Sequence, residues 1–278
     1  MRITGYDQSF QKPTAQQLLA ARAGFVGCYV GGDPAKTLTA SYFAALCAAH
    51  IPLILLHETT ADWMLGGYQA GIQHAAQARE GAQAAGVPDT VPIYAAADFP
   101  ATDQQIPAVM AAASGFASVE STAHTGVYGP LHVVQHAADA GYRTLQTSAW
   151  SDGQWDPADD LRQTGRQIII GTATVDVDQA FSFDFGQYTP PPPPWPGRIF
   201  TYHPNAPQIH GTDVRAWQQR MADRGWNLSV DGWYGQESET VARAFQTEFH
   251  TAPGPGLAED GEVGPRTWAG AYTIPITT

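Results

Sequence analysis

The sequence predicts an α/β fold, an eight-stranded (β/α)8 TIM-like barrel, followed by a small all-α three-helix bundle. Three observations carry that expectation. Strand-like and helix-like segments alternate over the first 188 residues. Acidic residues recur where strands end, the position at which barrel chemistry sits. An unbroken proline run, Pro190 to Pro194, then separates this region from one with a different periodicity.

Strands are expected at 2–7, 25–31, 52–58, 92–98, 125–129 and 143–149, with a short one near 161–164 and a last at 168–176. All are expected to run parallel. Helices fit between them at 14–23, 39–50, 62–86, 102–117 and 130–140. Thr14 and Thr39 stand where an N-cap accepts amide hydrogen bonds, and Gly24, Gly86 and Gly141 stand where helices stop. No GxGxxG follows the first strand, which argues against a dinucleotide-binding open sheet.

The expected domains are a barrel over 1–188, a proline-rich linker over 189–210 and a bundle over 211–278. Proline fixes φ and lacks an amide donor, so Pro190–Pro194 should form a stiff polyproline II spacer belonging to neither core. Beyond it, Val214, Trp217 and Met221 make one apolar helical stripe and Val241, Phe245 and Phe249 another. Asp231-Gly232, Tyr234-Gly235 and Asp260-Gly261 supply turn chemistry, and a third helix starts near Pro265.

The net charge is −12, and both parts are acidic: 8 basic against 17 acidic residues over 1–188, and 6 against 9 over 189–278. Nucleic acid is thereby excluded as a partner, since phosphate binding needs clustered cations. No apolar run reaches spanning length, so membrane insertion is not expected, and the chain should be a monomer. The start, MRITGYDQSF, lacks a basic segment followed by an apolar one, so no secretory signal is read there. Cys28 and Cys47 read as small apolar thiols rather than a disulfide framework.

Asp7, Glu58, Asp98 and Asp176 each fall near a strand end, with Asp178 close by. Any one alone would read as a helix or loop cap. Four on one rim instead match glycosidic bond hydrolysis, where one carboxyl group donates a proton and another is ionised. His57 precedes Glu58, but strand alternation points the two to opposite sides, so they cannot share a metal. His132 and His136 lack an HExxH setting, and Ser121, Ser148 and Ser151 lack GxSxG. No metal or organic cofactor is required. Tyr128, Gln146, Trp150 and Trp155 are candidate sugar contacts on the barrel rim, and Asp231, Gly232 and Tyr234 would line a shallow glycan groove in the bundle.

GYD at 5–7, LLHE at 55–58, IYAAADF at 93–99, GVYG at 126–129, LQTSAW at 145–150 and VDVDQAFSFDFGQY at 175–188 resemble the glycoside hydrolase-like barrel domain of actinobacterial wall-associated proteins and phage lysins, a relative of the family 25 lysozymes. The V..WQ, DG.YG, FQ, DG.VG and TW spacing after Val214 resembles the three-helix peptidoglycan-binding module. The resemblance implies bacterial peptidoglycan as partner and a muramidase-type activity, with Asp7, Glu58, Asp98 and Asp176 as the acids. With no secretory signal read at the start, the expectation is a phage endolysin made in the host cytoplasm, or a secreted enzyme whose signal has been trimmed. One departure stands out. Family 25 lysozymes carry an Asp-x-Glu pair on strand four, whereas Ala96 precedes Asp98 here and Pro100 follows it. A wall-binding protein that does not cut glycan is therefore the competing expectation.

Overall fold

The structure, a computed structural model, describes residues 2–250 and 256–277, leaving Met1, 251–255 and Thr278 outside the description. Two compact units divide after Thr189, the second being Pro190–Ile276.

In the first unit eight strands close in sequence order: β1 (Ile3–Gln8), β2 (Phe25–Tyr29), β3 (Leu53–His57), β4 (Ile93–Ala96), β5 (Thr125–Gly129), β6 (Arg143–Thr147), β7 (Leu161–Ile170) and β8 (Ala173–Ala180). Around them lie α1 (Ala15–Ala20), α2 (Ala40–Ala48), α3 (Gly67–Ala85), α4 (Ile106–Glu120) and α5 (Leu131–Asp139). Thr14 caps α1 in a reciprocal box with Gln17, and Thr39 caps α2. Gly86 ends α3 at φ 86°, a left-handed conformation that glycine adopts without penalty.

The barrel is not parallel throughout. β8 runs antiparallel to both β7 and β1. The expected seventh strand, 161–164, is only the first part of β7, which continues past a register shift between Gln163 and Gln167 where Gly165 takes φ +72°. The expected eighth strand, 168–176, straddles the turn between β7 and β8. A connection of two residues can close only a hairpin, because a parallel crossover needs a dozen or more.

Alternation then decides what enters the barrel. Ile3, Phe25, Ile54, Leu56, Tyr94 and Leu145 pack together in the interior. The opposite faces, with Tyr6, Val26, Leu55 and Val127, pack against the helices. Phe185 closes the amino-terminal end, 4.7 Å from the Phe25 ring, and its carbonyl accepts the Tyr94 hydroxyl at 2.7 Å.

The second unit contains α6 (Thr212–Asp223), α7 (Gln236–Glu248) and α8 (Pro265–Thr273) with a two-stranded ribbon of β9 (Ile209–His210) and β10 (Trp233–Tyr234). The apolar stripes are buried, Trp217 and Phe245 completely. A repeated device shapes the two turns. Gln218 Nε2 faces Asp231 Oδ1, the Trp233 carbonyl and Ser238 Oγ, while its Oε1 accepts the Gly232 amide. Gln246 does the same with Asp260, the Glu262 carbonyl, Thr267 and the Gly261 amide. The linker expected over 189–210 is not a free spacer: from Pro190 it belongs to this unit. Trp195 and Phe200 pack edge-on against Trp268, whose indole N–H donates to the Pro193 carbonyl at 2.9 Å. Two large rings bury more apolar surface there than an extended solvated chain would.

Candidate active site

The inward register that brings Ile3 and Phe25 into the barrel continues to its carboxyl-terminal end. There it presents Asp7, Tyr29, Glu58, Asp98, Tyr128, Thr147, Gln163 and Asp176. Space for Asp7 is made by Gly27, where a Cβ would stand 2.6 Å from the Asp7 Cβ. Asp176 reaches the same level because β8 is reversed and the register sets it opposite Asp7.

The charges of Asp176, Asp98 and Glu58 all act on Asp7, so the four expected acids lie within electrostatic reach of one another. Asp7 is buried, and burial first, then the Asp176 charge, push its pKa up from 3.8 to about 7, against the pull of a hydrogen bond from Gln163. Asp98 is also shifted upward, by burial and then by the charge of Glu58. Glu58 pairs with Lys36, Nζ to Oε2 3.2 Å, and that ammonium lies 5.3 Å from the centres of both the Phe10 and Tyr29 rings.

A hydrogen-bonded chain joins the acids. Gln163 Nε2 donates to Asp7 Oδ2 at 2.6 Å. Its Oε1 lies 2.9 Å from the Tyr128 hydroxyl and 3.2 Å from Thr147 Oγ1. The same Tyr128 hydroxyl lies 3.2 Å from Asp98 Oδ1.

The remaining expected residues distribute differently. Asp178 sits opposite Gly5, deeper in the barrel, and is fully buried with neither carboxyl oxygen hydrogen-bonded among the described residues. Burial and then the charges of Asp7 and Asp176 push its pKa well above 3.8, and it lies beneath the site, out of reach of a sugar in the cleft. Gln146 occupies the outward face of β6, fully buried, with Nε2 on the Gln154 carbonyl and Oε1 on the Asp156 amide. It pins the loop after β6 and does not face the cleft. Trp150 lies in that loop, 45% exposed at φ +54°. Trp155 stacks on Arg162, whose guanidinium carbon is 5.3 Å from its ring centre.

In the second unit Tyr234 is fully buried and donates to the Gly261 carbonyl, while Asp231 and Gly232 spend their polar groups on the turn around Gln218. Gly232 and Tyr234 are buried and line no open groove, whereas Asp231 is exposed. The exposed ring of that turn is Trp233, 48% exposed and 4.2 Å from the His210 ring. His57 points away from Glu58 into the helix layer, bonded to the Val30 carbonyl and to His74. Burial lowers its pKa to about 4, so it is a neutral strut. Lys36, Tyr29, Thr147 and Gln163 were not expected from the sequence. The legible signal for Gln163 was its inward parity with Leu161 in β7.

Comparison with known proteins finds relatives of both units. The profile "Rv2525c-like, glycoside hydrolase-like domain" matches residues 16–181, and "Putative peptidoglycan binding domain" matches residues 210–269. A curated protein of Mycobacterium tuberculosis named "Putative peptidoglycan hydrolase Rv2525c" is 34% identical over 135 residues, covering 47% of this chain and 56% of that protein. The alignment thus spans little more than half of the relative. Crystal structures of the Tat-secreted protein Rv2525c of M. tuberculosis, in complex with HEPES and with L-tartrate, superpose with a TM-score of 0.62 at 29% and 28% identity. Each covers 66% of this chain and 98% of the solved one. With the barrel profile spanning more than half of its length, the chain belongs to the Rv2525c-like glycoside hydrolase-like family.

Proposed function

We propose that the protein is a peptidoglycan hydrolase whose barrel cleaves the glycan strand as a muramidase and whose second unit holds the bacterial wall. The observation that carries this reading is the gathering of four carboxyl groups at one barrel end, in environments that differ. Asp98, raised by burial and by Glu58, is the proton donor to the leaving sugar oxygen. Glu58, paired with Lys36, is the ionised partner, and Asp7 and Asp176 stabilise the positive charge that develops on the sugar. The wall-binding role rests on the module profile over 210–269, and the peptidoglycan substrate on the name of the 34% identical relative. Tat secretion of that relative supports an exported protein over one released by phage lysis.

A second reading, glycan binding without cleavage, is favoured by the absence of a second carboxylate beside Asp98 at the end of β4, where Ala96 lies in the interior and Pro100 follows. Purified peptidoglycan incubated with the protein and then reduced with borohydride separates the two. Muramidase action places N-acetylmuramic acid at the new reducing end. Glucosamine there would refute the bond assignment, and no new ends on any wall would favour binding alone.

A further inference from the structure

We infer that Gln163 is a positioning residue that sets the protonation of Asp7 and Asp98 in opposition, so that the two carboxyl groups share one proton between them. The inference deepens the proposed glycosidase reading and rests on it for its purpose.

A primary amide has a donor end and an acceptor end. With Nε2 on Asp7 at 2.6 Å, Gln163 serves the ionised form of that carboxyl group, and its Oε1 can then only accept. Tyr128 has one hydroxyl proton and two oxygen neighbours, Gln163 Oε1 at 2.9 Å and Asp98 Oδ1 at 3.2 Å. If that proton goes to the nearer oxygen, the contact with Asp98 needs a proton from Asp98. Asp7 is then charged and Asp98 neutral, the pairing that proton donation by Asp98 requires.

Turning the amide by half a rotation reverses every direction in the chain. Oε1 now accepts from a protonated Asp7, Nε2 donates to the Tyr128 and Thr147 oxygens, and Tyr128 gives its proton to an ionised Asp98. One proton is held in either arrangement, so the exchange balances. The fold makes Gln163 the last inward residue of β7 before the register shift and the Gly165 bulge, and the Ser148 amide holds its carbonyl at 2.9 Å. A side chain at that point spans from β1 to β5.

Other charged and titratable groups face this chain: Asp176 and Asp178 on β8, Tyr29 on β2, and Glu58 with Lys36. The charges of Glu58 and Asp176 raise both Asp7 and Asp98, and Lys36 lowers Asp98. Replacing Gln163 leaves these charges in place, so opposite shifts of the two carboxyl groups in that variant report the hydrogen-bonded chain.

The test is carboxyl carbon NMR on the full-length protein labelled at aspartate, titrated from pH 3 to 9, with Asp7→Asn and Asp98→Asn used to assign the signals. Gln163→Met keeps the volume and removes both ends of the amide. Asp7, losing a donor to its charged form, should titrate about one pH unit higher, while Asp98, gaining the freed Tyr128 proton, should titrate lower by a similar amount. Shifts of both groups in one direction, or no shift in either, would overturn the inference. The unmutated protein gives an independent reading should Gln163→Met fail to fold: the Gln163 side-chain amide nitrogen should shift with pH at the midpoints of both carboxyl groups, and a flat amide signal would be equally fatal. No substrate is present in either measurement, so a barrel that proves inactive leaves the result intact.

Discussion

Replacing Asp7 by asparagine should make the protein more stable above neutral pH, because this acid is held against its own preference. In the unfolded chain its pKa is 3.8, and in the folded barrel burial and neighbouring carboxylates raise it to about 7. The unfolded state therefore releases the proton first as pH rises. Folding stability contributed by Asp7 is fully present below pH 3.8, declines between 3.8 and about 7, and is lost above that. At 1.36 kcal/mol per unit, a difference of about 3 units is a penalty of about 4 kcal/mol at pH 8. Asparagine keeps the oxygen that accepts from Gln163 and carries no charge to desolvate. Urea denaturation of both proteins at pH 4 and pH 8 should show near equality at pH 4 and a gain of about 4 kcal/mol for Asp7→Asn at pH 8. Equal stability at pH 8, or an equal loss at both pH values, would refute the claim that Asp7 is a strained ionisable group and recast it as an ordinary structural acid.

Further outcomes follow from the same contacts. Lys36→Met removes the cation that opposes the upward shift of Asp98, so the Asp98 titration should move higher by up to about one pH unit in carboxyl NMR. Gln218→Ala and Gln246→Ala each strip a buried turn of its amide and should lower the urea stability of the second unit by about 1–3 kcal/mol. Trp233→Ala should weaken sedimentation with insoluble wall material about fivefold to tenfold, the loss of roughly 1 kcal/mol of stacking, while leaving the fold unchanged by circular dichroism.

What could be read in the sequence follows from how the barrel is made. The first six strands are separated by helices, so each apolar run stands alone and its last acid marks the rim. That logic located Asp7, Glu58 and Asp98. It failed at β7 and β8, where a bulge at Gly165 split one strand and a tight turn near Gly171 joined two. Asp176 still reached the rim, but through an antiparallel register rather than as the end of a parallel strand. The same reversal carried Asp178 inward. Gln146 and Tyr234 were misread for a simpler reason: each is buried beside the residue that faces the cleft or the solvent, Thr147 and Trp233 respectively. Lys36 belongs to no spaced motif, and Gln163 carried only the parity of its short strand. Their importance arises only when closure of the sheet brings β2, β3 and β7 around one point.

The central claim is that the carboxyl groups at this barrel end cleave glycan, and the most direct measurement is the rate at which reducing ends appear in purified peptidoglycan for the unmodified protein, Asp98→Asn and Glu58→Gln. The account predicts measurable release by the unmodified protein and a fall of about 10²–10⁴-fold in each folded variant, because an amide can neither donate the proton nor carry the charge. Full activity in both folded variants would contradict it.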